Sequence, residues 1–276
     1  VVSRGSWGIS ISEVAALLGA QVEVPSHGGE GVGHHVTELC LDSAAVTPGA
    51  LFVAIAGTKS DGHSFIEDAL ARGAAALVVS KNVQMSRPAV VLRVADTRRS
   101  LSLLADSRFG SPSNNLKVVG ITGTNGKTTS NWLVYHLLNR LALPCVRIGT
   151  LGVASERGPT HPGLLTTPDA RQIQCALREG IEAGCRSAVL EVSSHALDQH
   201  RADEVRFDVA AFTNLTRDHL DYHKTFEAYF EAKYKLFELL CESAKENPVA
   251  VIGFDDPRGR QLMERLAGSR ARVISY

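Results

Sequence analysis

The sequence has no excess of charge of either sign and no long apolar segment. Lys plus Arg equals Asp plus Glu at 29 each, so the formal net charge is zero. A neutral chain lacks the basic field that is typical of nucleic-acid and membrane-surface binding, and we expect neither partner. Every apolar segment is shorter than the ~20 residues needed to cross a bilayer, which predicts no membrane span.

Cysteine is also scarce, with five residues scattered over 276 and no C-x-x-C pair among them. This usage predicts reduced thiols in a cytoplasmic protein. The chain begins without methionine and ends in the apolar run VISY, so we interpret both ends as trimmed. A chain of this length exceeds the size of one comfortable core, which predicts two domains, and we expect a monomer.

The apolar pattern changes between the two halves of the chain. Residues 1–112 alternate short strands, such as LFVAIAG, with helices, such as FIEDALAR, which predicts an α/β domain. The polar, turn-rich stretch GSPSNNL at 110–116 indicates the linker. Residues 113–276 alternate apolar strands with longer helices, which is typical of a mainly parallel sheet with helices on both faces. Ligands of such sheets bind at the carboxyl ends of the strands.

A glycine-rich loop follows the first strand of the second domain, in GITGTNGKTTSNWL. Its glycines let backbone N–H groups approach phosphate oxygens, Lys127 adds a positive charge and the Thr128 hydroxyl is a possible Mg²⁺ ligand. The usual phosphate-loop pattern has a glycine where this chain has Ile121. A glycine-rich turn that caps a helix is the alternative. A helix is predicted after the loop, with an apolar stripe of Val134, Leu137, Leu138 and Leu141.

Polar residues follow the next two strands of the second domain. Glu191 ends the strand SAVLE, where a carboxylate either holds Mg²⁺ or serves as a helix-cap partner. His219 follows the strand FDVAAF, either as a second metal ligand or as a hydrogen-bonded loop residue. Zinc is not expected, because no cysteine accompanies the histidines.

One lysine lies on the apolar stripe of a predicted helix. The stripe contains Phe226, Phe230, Lys233, Phe237 and Leu240, whereas Lys235 lies off it. Burial of an ammonium group is costly unless the group is paired or its pKa falls. Lys233 is therefore a snorkelling lysine, a partner of a buried acid, or a neutral amine that reacts with CO₂ to give a carbamate, an anionic metal ligand.

Together these motifs resemble the Mur ligases. The resemblance rests on GITGTNGKTT, TTPD, EVSSHALDQHR and FTNLTRDHLDYH, and it extends into the first domain through LDSAAVTPGALFVAIAGTKSDGHSFIEDALARGA. It implies a UDP-binding first domain, an ATP-binding second domain and a third, C-terminal domain that nothing in this sequence matches. The implied reaction joins a diamino acid to the D-glutamate of UDP-N-acetylmuramoyl-L-alanyl-D-glutamate through an acyl phosphate, in peptidoglycan synthesis.

The resemblance also implies the cofactors and the site residues. ATP would bind to Gly123, Thr124, Asn125, Gly126, Lys127, Thr128, Thr129, Asn214, Asp255 and Asp256. Two Mg²⁺ ions would be held by Thr128, Glu191, His219 and carbamylated Lys233. The catalytic set would be Lys127, Glu191, His219 and Lys233. The muramoyl peptide would contact Thr166, Thr167, Ser193, Gln199 and Arg201, and the uridine diphosphate Ser43, Thr58, Lys59 and Ser60.

Two other functions remain open at this point. A folylpolyglutamate synthetase shares the loop and the acyl-phosphate chemistry, but not the N-terminal Asp-Ser and DGHSFI motifs. A non-catalytic nucleotide-binding scaffold agrees with the unmatched third domain, whereas the intact Lys127, Glu191 and Lys233 disfavour it. These residues do not distinguish meso-diaminopimelate from L-lysine as the amino acid added.

Overall fold

The computed structural model describes residues 7–24, 34–57, 60–158, 160–163 and 165–276. It divides into two compact units, Val1–Arg108 and Phe109–Tyr276. The turn-rich stretch that suggested a linker contains a short 3₁₀ helix, Pro112–Asn115, within the second unit. Ser113 is fully buried there, and its hydroxyl accepts a hydrogen bond from the Arg206 N–H at 3.1 Å. Ser113 therefore belongs to the interior of the second unit, whereas Asn114 and Asn115 are exposed.

The first unit is an α/β structure, as the alternation of its apolar segments predicted. Its elements, in chain order, are β1 (Ile9–Ser10), α1 (Ile11–Leu18), β2 (Gln21–Glu23), β3 (His35–Val36), β4 (Glu38–Cys40), β5 (Ala50–Val53), α2 (Ile66–Ala71), β6 (Ala76–Val79), β7 (Val90–Arg93) and α3 (Thr97–Phe109). Five strands form a sheet in the order β2-β7-β6-β5-β4, in which only the β2–β7 pair is antiparallel. β1 and β3 pair separately.

The second unit contains a seven-stranded sheet. Its elements are β8 (Lys117–Thr122), α4 (Lys127–Arg140), β9 (Cys145–Gly149), β10 (Gly152–Ser155), α5 (Ala170–Glu182), β11 (Ser187–Glu191), α6 (Ser194–Asp198), β12 (Val209–Phe212), α7 (Leu220–His223), α8 (Phe226–Glu242), β13 (Val249–Ile252), α9 (Pro257–Arg265) and β14 (Arg272–Ser275). The strand order is β10-β9-β11-β8-β12-β13-β14, and every pair is parallel except β10–β9.

Helices cover both faces of this sheet, which confirms the predicted fold class. Leu190 of β11 packs in the cluster that α5 and α8 share, whereas its neighbour Val189 packs with Tyr135 of α4. Successive residues of a strand point to opposite faces, so strands buried on both sides are apolar throughout. None of the helices in the described part of the chain is both long and apolar enough to cross a lipid bilayer.

The predicted apolar stripe of α4 is wrong in part. Leu137 and Leu141 are 60% and 70% exposed, and the buried positions belong to Asn131 and Tyr135. The Asn131 amide donates hydrogen bonds to the carbonyls of Ile148 and Val189, at 3.2 and 3.4 Å. A polar residue thus occupies the buried face of α4, because two strand carbonyls at that place accept its protons.

The central strands bring three loops to one edge of the sheet. In the parallel register, Glu191 of β11 lies beside Ile121 of β8, and Phe212 of β12 lies beside Thr122. The segments that follow these strands therefore meet at the carboxyl ends, where parallel sheets bind their ligands. The glycine-rich loop, the stretch after Glu191 and the stretch after Phe212 are consequently neighbours.

Candidate active site

The glycine-rich loop begins at Gly123, not at Ile121. Ile121 is 1% exposed and belongs to β8, so the strand continues through the position where other phosphate loops have their first glycine. Gly123 has φ +143°, and a Cβ atom there would lie 1.9 Å from Thr213 Oγ1. Gly126 has φ +86° and directly precedes α4. Glycine is required at both positions, and the loop ends at a helix N-terminus, a favourable place for phosphate.

The segment after β12 holds the loop in shape. The Asn125 N–H donates to Asn214 Oδ1 at 3.0 Å, and Asn214 Nδ2 donates to the Asn125 carbonyl at 3.2 Å. The Thr213 hydroxyl donates to the same carbonyl at 2.6 Å. Asn214 is thus placed on the loop backbone, where it fixes the loop conformation. Thr213 was not predicted as a site residue from the sequence, because it supports the loop through a contact with Asn125, 88 positions away.

Lys127 lies against the loop that precedes it. Its Nζ donates to the carbonyls of Gly123 and Thr124, at 2.9 and 2.8 Å. Burial lowers the pKa of Lys127, while the Glu191 and Asp218 carboxylates act in the opposite direction. The amine is thus held against the backbone of the glycine-rich loop, and its contact with a nucleotide phosphate stays a prediction.

Glu191 is fully buried and faces Thr128. Its Oε2 accepts hydrogen bonds from the hydroxyls of Thr128 and Thr150, at 2.7 and 3.0 Å. Its Oε1 accepts from the Thr150 N–H at 2.9 Å. The alternative role as a helix cap is wrong, because Ser193 caps α6. The structure thus brings together the carboxylate and the hydroxyl that the sequence suggested as metal ligands.

Thr150 is a site residue that the sequence analysis missed. It follows β9 directly, and its hydroxyl is 3.2 Å from Thr166 Oγ1 and 3.4 Å from Thr128 Oγ1. The preceding Gly149 leaves room for the carboxylate, since a Cβ there would lie 2.1 Å from Glu191 Oε1. The rule that site residues follow parallel strands could have identified Thr150 from the sequence. β9 was not recognised as one of those strands.

The predicted muramoyl-peptide residues form one connected group. Thr167 is buried, and its hydroxyl donates to the Glu191 carbonyl at 2.9 Å and accepts from the Ser193 N–H at 3.0 Å. Arg201 donates to the Thr167 carbonyl at 2.8 Å and to Gln199 Oε1 at 2.5 Å. Thr166 joins the group through Thr150. These residues come from separate segments, and the fold places them beside Glu191.

The predicted uridine-diphosphate residues belong to the first unit. Ser43 is 7% exposed and begins a 3₁₀ helix, Ser43–Ala45, that Asp42 caps. Ser60 is exposed, and its carbonyl accepts a hydrogen bond from the Gly57 N–H at 2.9 Å. Thr58 and Lys59 lie outside the described residues. The contribution of these four residues stays a prediction.

Lys233 is buried on α8, as its place on the apolar stripe predicted. It is 2% exposed, and its Nζ donates to the Gly123 carbonyl at 2.8 Å and lies 4.4 Å from the centre of the Tyr229 ring. Snorkelling is excluded by this burial, and within the described part of the chain no acid forms an ion pair with the amine. Burial, then the charge of Lys127, holds the pKa of Lys233 well below its usual range. Lys235 instead pairs with Asp198 at the surface.

A group of histidines lies beside Tyr229. The His219 ring is 4.8 Å from the His195 ring and 6.0 Å from the Tyr229 ring, centre to centre. His219 directly precedes α7 and has φ +52°, an uncommon conformation for a residue other than glycine. Burial lowers the pKa of His195, so this imidazole favours its neutral form.

The buried ring of His223 predicts folding that is sensitive to acid. Burial, then the charge of His195, lowers the pKa of His223 from 6.5 to about 4. Between these two values the unfolded chain binds the extra proton, so the free energy of unfolding falls as the pH falls. We expect it to fall by about 2 kcal/mol less between pH 7 and pH 5 in His223→Gln than in the unaltered chain. Urea unfolding at several pH values measures this difference.

The exposed His136 provides the control for that measurement. His136→Gln should unfold with the pH dependence of the unaltered chain. Identical pH dependence in His223→Gln would contradict the prediction, provided that its circular-dichroism spectrum is native at pH 7. The Ser194 hydroxyl, 2.9 Å from His223 Nε2, remains available to the glutamine side chain.

Comparison with known families accounts for this arrangement. The Mur ligase middle domain matches residues 121–276, and the Mur ligase family catalytic domain matches residues 35–108. The chain belongs to the Mur ligase family. The middle-domain match covers β8 from Ile121 onward and thus includes the whole group of residues around Gly123.

Individual Mur ligases are similar over most of the chain. A UDP-N-acetylmuramoyl-L-alanyl-D-glutamate--2,6-diaminopimelate ligase of Geobacter metallireducens is 42% identical over 259 residues, which cover 93% of this chain and 50% of the relative. The chain spans about half the length of the curated relatives it matches. The sequence similarity therefore relates it to one half of those proteins.

Solved structures of Mur ligases have the same fold. A UDP-N-acetylmuramoyl-L-alanyl-D-glutamate--2,6-diaminopimelate ligase superposes with a TM-score of 0.77 at 28% identity, over 98% of this chain and 52% of that one. The MurF ligase of Thermotoga maritima, solved in complex with ADP, gives a TM-score of 0.54 at 26% identity, over 86% of this chain and 49% of that one. The fold of this chain is therefore shared with these two ligases.

The site residues of this Mur ligase chain are compatible with magnesium. Among the residues that the structure describes, no three His, Cys, Asp or Glu side chains cluster closely enough to hold a metal by themselves. Glu191 and Thr128 present two oxygens 2.7 Å apart. Mg²⁺ prefers oxygen ligands and commonly takes the remainder from water and substrate phosphates. This donor set fits Mg²⁺ when a nucleotide completes it.

Asp255 and Asp256, which were also predicted to bind the nucleotide, differ in their surroundings. Asp256 Oδ1 accepts from the Arg258 N–H at 2.7 Å and caps α9, and its Oδ2 accepts from the Leu215 N–H at 2.5 Å. Both carboxylate oxygens of Asp256 thus hold the backbone beside the loop. Asp255 is exposed. Direct contact of either residue with a nucleotide stays a prediction.

Proposed function

We propose that this chain carries the nucleotide site and the UDP-muramoyl dipeptide site of an ATP-dependent amide ligase. The reaction joins a diamino acid to the D-glutamate of UDP-N-acetylmuramoyl-L-alanyl-D-glutamate, with residues 1–112 binding the UDP moiety and residues 113–276 binding ATP. The observation that carries the proposal is that two lysine amines meet at the Gly123 carbonyl. Lys127 and Lys233 donate to its carbonyl at 2.9 and 2.8 Å, and a glycine-rich loop alone would not require the buried Lys233.

The names of the curated relatives support 2,6-diaminopimelate as the diamino acid, since those proteins are 2,6-diaminopimelate ligases. The five cysteines, all free, support a cytoplasmic location, because disulfides are rare there. The ADP complex of the Thermotoga maritima relative supports an adenine nucleotide as the ligand of the loop.

The first proposed step is phosphoryl transfer. A γ-carboxylate oxygen of D-glutamate attacks the γ-phosphorus of ATP, the bond to the ADP oxygen breaks, and an acyl phosphate forms. The two reactants are both anions, so the main task of the site is to neutralise charge and to align them. Lys127 supplies a fixed cation beside the loop, and the loop N–H groups contribute further positive ends of dipoles.

The second proposed step forms the amide bond. An amine of the diamino acid attacks the acyl carbon, a tetrahedral intermediate forms, and inorganic phosphate leaves as the amine loses its proton. The group of Thr166, Thr167, Ser193, Gln199 and Arg201 would hold the dipeptide so that its carboxylate faces the loop.

Two Mg²⁺ ions, when bound, would neutralise the phosphate charges. Thr128 and Glu191 would hold one ion, and His219 with a carbamate on Lys233 would hold the other. Members of both sets lie beside the glycine-rich loop, since Lys233 Nζ on α8 donates to the Gly123 carbonyl and Thr128 lies in the first turn of α4.

The proposed function is tested by ATP-dependent phosphate release, with and without UDP-N-acetylmuramoyl-L-alanyl-D-glutamate and diaminopimelate. Both this chain and the complete protein encoded by its gene should be assayed. We expect release by the complete protein to require both substrates. Release that requires a folate substrate would instead support a folylpolyglutamate synthetase. Nucleotide binding without any substrate-dependent release would support a non-catalytic scaffold.

Thr150 is proposed to orient the Mg²⁺ ligand Glu191. Thr150→Val keeps the shape of the side chain but removes the hydroxyl that donates to Glu191 Oε2 at 3.0 Å. We expect the Mg²⁺ concentration that half-saturates nucleotide binding to rise roughly tenfold or more, as for other residues that orient metal ligands. Calorimetric titration of the nucleotide at several Mg²⁺ concentrations measures this effect.

The matched variant Thr150→Ser retains the hydroxyl and should keep the original Mg²⁺ dependence. A purely structural role of Thr150 would lower thermal stability without a change in the Mg²⁺ requirement. Equal Mg²⁺ dependence of the Val and Ser variants would therefore refute the orienting role.

A further inference from the structure

A cavity lies between α5 and the β9–β10 hairpin, within the second unit. Its volume is about 340 Å³, and Lys127, Glu191 and Lys233 are not among the residues that line it. The walls are mainly apolar, with contributions from Val153, Pro162, Leu165, Pro168 and Ala176. A cavity of this size and character suits a small organic molecule.

Two sets of contacts connect the outer wall of the cavity with β10 and α5. Val153 and His161 exchange two backbone hydrogen bonds of 2.9 Å. His161 Nε2 also lies 3.1 Å from Glu179 Oε2 on α5. Glycines allow the close approach, since a Cβ at Gly152 would lie 2.0 Å from the His161 carbonyl oxygen and one at Gly163 would lie 2.4 Å from the Thr150 carbonyl oxygen. The cavity is thus formed before any ligand binds.

Arg171 lines this cavity. Its Nε is buried and has no hydrogen-bond partner, and among the described residues it forms no ion pair. Arg178 on the same helix, by contrast, pairs with Glu182 at 3.0 Å. Buried polar atoms in proteins are nearly always hydrogen-bonded, and a charged donor without a partner is costly. An anion in the cavity would neutralise the guanidinium group as a whole, with which no carboxylate of the described residues pairs.

The rest of the lining restricts the kind of anion. Glu179 lies two helical turns beyond Arg171, about 12 Å along the axis, so a second negative charge at that end would be repelled. An inorganic anion would leave the apolar walls without contacts. A single carboxylate on an apolar body fits this lining. Arginine binds a carboxylate with two parallel hydrogen bonds, and the apolar body contacts the apolar walls.

We propose that this cavity is a binding site for a small monocarboxylate with an apolar body. The carboxylate pairs with Arg171, and the body packs against Leu165, Pro168 and Ala176. The site goes beyond the proposed ligase reaction, since its residues take no part in the group around Gly123. Leu165 and Pro168 flank Thr166 and Thr167, so the occupied site would border the muramoyl-peptide residues.

The test compares 4-phenylbutyrate with 4-phenylbutyramide, which have nearly the same shape but differ in charge. Both are titrated into the unaltered 276-residue chain at neutral pH by calorimetry. We expect the acid to bind with a dissociation constant at least roughly tenfold lower than that of the amide. A crystal structure of the complex should show the carboxylate on Arg171.

Two arginine variants complete the experiment. Arg171→Gln should remove the preference for the acid, and the matched variant Arg178→Gln on the same helix should retain it. Equal binding of acid and amide, an unchanged preference in Arg171→Gln, or no binding of either compound would overturn the proposal. The comparison of acid and amide uses the unaltered chain, so it decides the matter even if Arg171→Gln does not fold.

Discussion

Replacement of Lys127 by alanine is expected to abolish ATP-dependent phosphate release, with a loss of about 10³-fold in kcat/KM. In the structure the Lys127 amine donates to the carbonyls of Gly123 and Thr124, at 2.9 and 2.8 Å, and so lies against the loop backbone. Phosphoryl transfer to a carboxylate brings two anions together. Without this cation the transition state would lose its only fixed positive side chain on the loop itself.

The matched control for this variant is Lys117→Ala, at the opposite end of β8. Lys117 is an exposed residue that pairs with Asp208 at 3.0 Å, so its loss should leave phosphate release near the original rate. The measurement is steady-state phosphate release by the complete gene product, together with nucleotide titration of this chain. A fully active, correctly folded Lys127→Ala protein would refute the proposed ligase function.

Lys233→Ala is expected to cause the second large loss, of about 10²-fold or more in phosphate release. The Lys233 amine is 2% exposed, and its lowered pKa favours the neutral form. A neutral amine attacks CO₂ and releases one proton, which leaves a carbamate anion in place of the neutral amine. The neutral fraction decreases as the pH falls, so both the carbamate and the activity should be lost toward acid pH.

Carbamylation predicts two further results for Lys233. Depletion of bicarbonate should lower the activity of the unaltered protein, and short-chain carboxylic acids should partly restore Lys233→Ala. Lys235→Ala, which changes an exposed lysine of the same helix, should respond to neither treatment. A ¹³C NMR spectrum in ¹³C-bicarbonate reports the carbamate without loss of CO₂ during handling. No carbamate resonance, with no rescue of Lys233→Ala, would exclude carbamylation.

The periodicity of the sequence was sufficient to predict the parallel sheet and the place of Lys233. A strand that is buried on both faces has apolar residues at successive positions, as Ala188, Val189 and Leu190 of β11 show. Lys233 falls on the helical stripe between Phe230 and Phe237, and the helical period alone places these three residues on one side of α8. The structure confirms that all three are buried.

The same periodicity failed for α4, because the apolar stripe of Leu137 and Leu141 was assumed to face the sheet. The sheet instead presents the carbonyls of Ile148 and Val189 to that helix, and Asn131 binds them. Apolar spacing carries no information about a hydrogen-bond acceptor on another strand.

The sequence by itself was sufficient to predict a phosphate-binding loop at Gly123, Gly126 and Lys127, because glycines with positive φ and a helix N-terminus are local properties. Only the tertiary structure decided how that loop is held and what faces it. Thr150 reaches Glu191 across 41 positions, and Lys233 reaches Gly123 across 110. Contacts of such separation depend on the order of strands in the sheet, and no local pattern of residues specifies that order.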